Sequence, residues 1–107
     1  MVRWADPERV AEAVQAYVDD VRVRELSVSR VFWYGSWVSG VPTPSSDVDL
    51  CIVLESDDRP PRDRVPDFLP HSFPVGIDLV IFTEEELRDL AKRAPSWHRA
   101  IVSGRVM

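Results

Sequence analysis

The chain has 107 residues, of which 45% are hydrophobic and 29% are charged, and its formal net charge at pH 7 is −5. This length suffices for a single core, so residues 1–107 are expected to form one domain, and the composition argues against wholesale disorder. The acidic balance argues against duplex nucleic acid as the main partner, because binding to phosphates depends on clustered Lys and Arg.

The first predicted element is a helix that begins at Pro7, with Asp6 as its N-cap. Asp at this position accepts a hydrogen bond from an amide of the first turn. Pro at the first helical position costs no hydrogen bond, because the amide there has no partner within the helix. Apolar residues then recur at helical spacing. They form a predicted buried stripe of Val10, Val14, Tyr17, Val18 and Val21. The helix is expected to fray over residues 22–26.

A strand is predicted over residues 28–34, which are rich in β-branched and aromatic side chains. It ends at Gly35 and Ser36, where glycine lets the backbone approach a phosphate closely. A short helix or turn over residues 36–40 would point its first amides at that phosphate. Small turn residues are common after strands, so this turn alone is weak evidence. Trp37 follows it and is either a core residue or a ring at the mouth of the site that stacks on a base or contacts a partner.

The second predicted strand covers residues 47–54. Side chains alternate along a strand, so Asp47 and Asp49 lie side by side on one face. Two neighbouring carboxylates repel each other, and near an apolar core they are costly unless a cation neutralises them. The hard cation Mg²⁺ binds through one or two carboxylates together with substrate phosphates. This strand therefore indicates a cation site.

The cysteine content and the apolar segments bear on the compartment. Cys51 is the only cysteine, so no internal disulfide is expected. It shares the strand face of Asp49, but no histidine lies nearby in the sequence, and a free cysteine in a strand is usually a small buried hydrophobe. The sequence shows no signal peptide and no long apolar span, so a cytoplasmic location without membrane association is expected.

The segment from residue 55 to residue 70 is polar and broken by prolines, so it is predicted to be a surface loop. Asp57 and Asp58 lie in this loop and are expected to be solvated rather than to bind metal. One short helical turn is expected within residues 65–73.

The third predicted strand covers residues 75–82, and Asp78 is the only charge in this apolar run. A carboxylate in such surroundings is costly to bury without a partner, so Asp78 is expected to converge with Asp47 and Asp49. Three acids on strands, preceded by a Gly-Ser turn, predict a site for phosphoryl or nucleotidyl transfer with two metal ions about 4 Å apart.

A capping box follows the third strand, with Thr83 at the N-cap and Glu86 at N3. It is expected to open a helix that Pro95 ends. The tail at residues 97–107 is apolar enough to pack back onto the domain.

These motifs together resemble those of a known family. A hydrophobic residue precedes Gly35 and Ser36, ten residues follow, and then come Asp-Val-Asp-Leu at 47–50 and Ile-Asp-Leu at 77–79. This order resembles the nucleotidyltransferases of the DNA polymerase β superfamily over residues 28–83, and the short chain is similar to their minimal nucleotidyltransferase group. The resemblance implies an α/β fold with a small mixed sheet of three or four strands and helices packed on one side.

The resemblance also implies roles for the acids. Asp47 and Asp49 would bind two Mg²⁺ ions, with Mn²⁺ as an alternative. Asp78 would complete the shell of the catalytic ion and accept a proton from the attacking hydroxyl.

The nucleotide would be ATP or another nucleoside triphosphate. Gly35 and Ser36 would bind its β- or γ-phosphate, and Ser46 is a further candidate, although such residues more often only form a turn. Relatives commonly carry an Arg three residues after the Ser that helps to hold the triphosphate, whereas this chain has Ser39 there. Loss of a cation weakens charge-assisted contacts to phosphate, which predicts weaker nucleotide binding.

Members of the minimal group often act as antitoxins beside a small helical toxin of the HEPN type. The resemblance therefore implies transfer of AMP from ATP to a hydroxyl of such a partner, with tyrosine as the favoured acceptor, and a hetero-oligomer with it. A transferase needs its acceptor positioned, and no appended domain is expected here to do so. Two alternatives stay open. One is a module that neutralises its partner by binding alone, and the other is a nucleotidyltransferase for small molecules such as aminoglycosides, which usually has an additional domain.

Overall fold

A mixed four-stranded sheet organises the part of the chain that the computed structural model describes, residues 6–40, 42 and 46–107. Its strands are Val28–Tyr34 (β1), Val48–Leu54 (β2), Ile77–Thr83 (β3) and Arg105–Val106 (β4), in the order β3-β2-β1-β4. β1 is antiparallel to both β2 and β4, whereas β2 and β3 are parallel. The helices are Pro7–Arg24 (α1), Ser36–Ser39 (α2), Pro61–Arg64 (α3), Glu84–Arg93 (α4) and Pro95–Val102 (α5), with a 3₁₀ turn at Val65–Phe68. The architecture is the predicted α/β class.

Helix α1 begins and buries its side chains as predicted. The side chain of Asp6 accepts a hydrogen bond of 3.0 Å from the amide of Glu8, and Pro7 occupies the first turn. The residues of the predicted stripe are all buried. The helix ends at Arg24, within the segment expected to fray. It is the longest described helix, and no helix of residues 6–40, 42 and 46–107 is both long and apolar enough to cross a membrane.

Helices cover both faces of the sheet. Alternate residues of the strands pack into two separate apolar clusters, one on each face. On one face, the α1 cluster joins Trp33, Leu50 and Ile81 to the stripe of α1 and to Phe68. On the other face, the α4–α5 cluster consists of Phe32, Cys51, Val53, Phe82, Leu87, Leu90 and Ile101. The prediction of helices on one side only is therefore wrong. β2 is buried at every position except Asp49, so it presents apolar side chains on both faces and needs cover on both.

The two helices after β3 provide the second cover. The capping box is confirmed, since Thr83 Oγ1 accepts from the Glu86 amide at 3.1 Å and Glu86 Oε1 accepts from the Thr83 amide at 2.8 Å. α4 ends at Arg93, just before Pro95, as predicted. Pro95 then starts α5, since proline is tolerated in the first turn of a helix. Ile101 of α5 packs into the α4–α5 cluster.

A buried arginine shapes the segment between β2 and β3. The Arg64 side chain is only 1% exposed and donates hydrogen bonds to the Ile81 carbonyl at 3.0 Å and to Glu86 Oε1 at 2.6 Å. It also lies 3.5 Å from Asp57, which accepts a hydrogen bond of 2.9 Å from Arg59. Burial by itself raises the pKa of Glu86, but hydrogen bonds from Arg64 and the Thr83 amide lower it below its usual value.

The predicted solvation of this segment therefore holds only in part. Asp58 is exposed, but the side chain of Asp57 is only 16% exposed because two arginines surround it. The expected helical turn is present as the 3₁₀ turn at Val65–Phe68, and the helix α3 directly before it was not predicted.

Candidate active site

The predicted acids lie at one end of the sheet, where β1 ends and β2 and β3 begin. β1 runs antiparallel to β2, so Tyr34 at the end of β1 is the Cα partner of Asp49 near the start of β2. β3 runs parallel to β2, so Asp78 is the Cα partner of Asp49 on its other side. Paired residues of neighbouring strands share a face, with strands about 4.8 Å apart. Asp47 lies two residues before Asp49, directly before the start of β2.

Two glycines make room for the carboxylates. A Cβ atom at Gly35 would lie 2.2 Å from Asp49 Oδ2, and a Cβ atom at Gly76 would lie 2.1 Å from Asp47 Oδ1. The carboxylate of Asp49 therefore packs against the backbone of Gly35, and that of Asp47 packs against the backbone of Gly76. The amide of Val48 also donates to the carbonyl of Gly76 at 2.9 Å, which fixes the starts of β2 and β3 together. Gly76 was not among the predicted site residues, although a lone glycine in an apolar run often marks a close approach.

The acids at this end of the sheet shift the pKa values of their neighbours. Burial raises the pKa of Asp49, and the nearby carboxylates of Asp78 and Asp47 raise it further. The pKa of Tyr34 is raised to about 12, first by burial, with Trp97 lowering it and Asp49 and Asp78 raising it. The acids therefore lie close enough to interact with one another and with the phenol of Tyr34.

A divalent cation fits this chemistry. The described residues contain no group of three or more His, Cys, Asp or Glu side chains arranged to enclose one ion. Asp49 and Asp78 nevertheless present hard oxygen donors from adjacent strands, and Mg²⁺ needs only one or two protein carboxylates beside substrate phosphates and water. Gly35 and Gly76 keep side chains out of the space beside the carboxylates. The assignment of Asp47, Asp49 and Asp78 as metal ligands stays a prediction.

The predicted phosphate turn adjoins these acids. Gly35 has φ +87° and precedes α2, and its carbonyl accepts from the amides of Val38 at 3.1 Å and Ser39 at 3.0 Å. The first amides of α2, those of Ser36 and Trp37, have no partner within the helix. Because Gly35 contacts Asp49, a phosphate at these amides would lie beside the acids. Phosphate binding by Gly35 and Ser36 stays a prediction.

Ser39 and Trp37 have structural roles in this turn. The hydroxyl of Ser39 donates to the carbonyl of Gly35 at 2.9 Å, so it closes the turn. The indole Nε1 of Trp37 donates to the carbonyl of Ser46 at 3.1 Å, and its ring is half-buried against the α1 cluster. Trp37 thereby joins the phosphate turn to the entry of β2, which favours the core alternative over a ring at the mouth of the site. Nucleotide binding by Ser46 stays a prediction.

Two other polar side chains do not take part in this site. Cys51 is buried, and burial raises the pKa of its thiol to about 12, so it is not a nucleophile at neutral pH. Arg30 forms an ion pair of 2.6 Å with Glu84 and lies over the ring of Phe32, toward the other end of β1 from Gly35.

Comparison with known proteins identifies the family. The family model described as "Nucleotidyltransferase domain" matches residues 15–102, which include all three acids and the Gly-Ser turn. The chain belongs to this family.

The fold of this nucleotidyltransferase domain is also similar to that of a solved structure. A "putative nucleotidyltransferase" from Sulfolobus solfataricus aligns with a TM-score of 0.63 at 21% sequence identity, over 78% of this chain and 75% of that one. None of the curated proteins matches the sequence of the chain. Membership of the family implies a transferase with a nucleoside triphosphate as donor.

Proposed function

We propose that this nucleotidyltransferase domain transfers AMP from ATP, with Mg²⁺, to a hydroxyl of a partner protein. The observation that carries the proposal is the junction at the end of β1. There Gly35, with φ +87°, begins the turn and at the same time contacts Asp49, whose Cα partner is Asp78. The phosphate turn and the acids would thus be held side by side, because Gly35 directly follows Tyr34, the Cα partner of Asp49.

The reaction assigns a task to each group. The amides of Ser36 and Trp37 donate to the phosphate oxygens, and Asp47, Asp49 and Asp78 would hold the cations. When bound, these cations supply the positive charge that polarises the α-phosphate and stabilises the leaving pyrophosphate. The acceptor oxygen attacks the α-phosphorus, the bond to the β-phosphate breaks, and Asp78 accepts the hydroxyl proton.

The position of the acids favours a macromolecular acceptor. Asp47 and Asp78 are exposed, and β3 is an edge strand of the sheet. A surface cleft of about 940 Å³ between α1 and residues 69–74 contains none of the three acids. An exposed site positions a small acceptor poorly, because a small molecule is positioned by the contacts of an enclosing pocket. Positioning supplies much of the rate. A partner protein would bring its own surface, and the family resemblance makes a HEPN-type toxin the favoured partner.

The test is transfer from ATP labelled at its α-phosphate. The purified chain is incubated with Mg²⁺ alone, with a HEPN-type toxin protein, and with an aminoglycoside. We expect label on the partner at a tyrosine, and no label on either protein when Asp78→Asn replaces the wild type. Asp58→Asn, which makes the same change at an exposed loop position, should transfer normally.

The other outcomes decide for the alternatives. A partner that is neutralised without acquiring label would establish the binding module, and label on the aminoglycoside would establish small-molecule transfer. The binding module is favoured by one observation, that a serine whose hydroxyl is already bonded to Gly35 stands where relatives commonly carry the phosphate-binding Arg.

Substitution of that serine gives a second prediction. Ser39→Arg should tighten ATP binding by the isolated chain at least about tenfold, because a charge-assisted hydrogen bond contributes about 1.5–3 kcal/mol. Calorimetric titration with ATP and Mg²⁺ measures the change. Ser39→Ala controls for the lost bond to Gly35, and Ser56→Arg adds the same charge at an exposed position beyond the far end of β2. Equal affinities for wild type and Ser39→Arg would mean that the chain does not lack a cation at this site.

A further inference from the structure

A partly exposed tryptophan lies on the face of the sheet that carries the acids. Trp97 is in the first turn of α5, and 40% of its surface is exposed. Its ring packs edge to face on Phe82, with ring centroids 5.7 Å apart and an interplanar angle of 73°. Large aromatic side chains usually bury most of their area, so an indole that is held in place and still open to solvent calls for an explanation.

Tyr34 lies between Trp97 and the acids. The indole of Trp97 lies near the phenol of Tyr34 and lowers the pKa of that phenol. Tyr34 is the Cα partner of Asp49 and the residue directly before Gly35. The ring therefore packs on Phe82 and lies beside Tyr34, whose backbone pairs with Asp49.

We propose that the exposed face of Trp97 is the platform on which the base of the donor nucleotide stacks. The inference rests on the proposed function, since it takes the nucleotide to be bound at the Gly35 turn and the acids. Stacking on a ring that is already fixed loses little conformational entropy, which favours an aromatic platform. Every base has a π-face, so this contact adds affinity with little choice between bases.

The alternative is that Trp97 only covers the α4–α5 cluster. In that case its replacement would loosen α5 against Phe82 and disturb every ligand of the site alike. Base stacking acts on nucleotides and not on a bare polyphosphate. The two roles therefore differ in which ligand is affected.

The experiment is calorimetric titration of the full chain, in Mg²⁺, with ATP and with inorganic tripolyphosphate. Trp97→Leu keeps an apolar side chain on Phe82 but removes the ring, whereas Trp97→Phe keeps a ring, and both lose the indole N–H beside Tyr34. We expect Trp97→Leu to weaken ATP binding about tenfold and to leave tripolyphosphate binding unchanged. Trp97→Phe should restore most of the ATP affinity. Val102→Ala, at another exposed apolar position of α5, should bind both ligands like the wild type.

Each result bears on the proposal. Unchanged ATP affinity in Trp97→Leu, or an equal loss for both ligands, would overturn the stacking role while leaving the proposed function in place. A loss that Trp97→Phe shares in full would assign the effect to the indole N–H beside Tyr34 and also overturn stacking. A wild-type chain that binds neither ligand would remove the proposed function, and the inference with it.

Discussion

We expect Asp49→Asn to lower the rate of nucleotidyl transfer by about a hundredfold or more. Loss of a carboxylate from a metal site removes several kcal/mol of charge stabilisation from the transition state, and each 1.36 kcal/mol is tenfold in rate. The same change should raise the metal-free stability at neutral pH. The pKa of Asp49 is raised by burial and by the two neighbouring carboxylates, so its ionised form is a cost to the native state that Asn removes.

Initial rates with labelled ATP and melting curves with and without Mg²⁺ measure both effects. Mg²⁺ should raise the melting temperature of the wild type and raise that of Asp49→Asn much less. Asp58→Asn is the matched control, because it makes the same substitution at an exposed position outside the site, and its rates and melting curves should follow the wild type. A wild type whose melting temperature is indifferent to millimolar Mg²⁺ would contradict the metal assignment.

Gly35→Ala should cost about 1–3 kcal/mol of stability and reduce transfer at least tenfold. Gly35 has φ +87° and ψ −163°, a backbone conformation that is essentially confined to glycine. Its added Cβ would also lie 2.2 Å from Asp49 Oδ2, so the carboxylate and the turn would both have to move. Denaturant unfolding measures the stability, and ATP titration with initial rates measures the effect on the site.

Gly40→Ala is the control within the same turn. Its φ is −140°, and the nearest atom to an added Cβ is the carbonyl oxygen of Ser36 at 3.8 Å, which is an ordinary contact. The substitution should leave both stability and transfer nearly unchanged. If Gly35→Ala behaved like Gly40→Ala, the turn would not require glycine, and its role as a phosphate loop would be contradicted.

The local features of the site could be predicted because they depend on neighbours in the sequence. The shared face of Asp47 and Asp49 follows from strand alternation, and the capping box of Thr83 and Glu86 follows from the spacing of two residues. Asp78 stood out as the one charge of an apolar run. None of these inferences required knowing which strand lies beside which.

Other features depended on contacts between distant segments and were missed. Asp57 looked like an ordinary loop acid, but Arg64 from the following helix is buried beside it. Arginine is seldom buried, so composition alone predicts that both side chains are solvated. The helix α5 was missed for a different reason, since Pro95 was taken only as the end of α4 and is also a suitable first residue for the next helix.

The sequence by itself determined α1, α4, the three longer strands and the class of the fold, and it singled out the three candidate acids, because hydrophobic period, caps and turn residues act over a few positions. Only the tertiary structure decided what surrounds those acids. The register of β2 against β3 pairs Asp49 with Asp78 and places Gly76 against Asp47, and the packing of α5 brings Trp97 to Tyr34. These contacts join residues about 30–60 positions apart, and their geometry depends on how both faces of the sheet are covered, which no local pattern specifies.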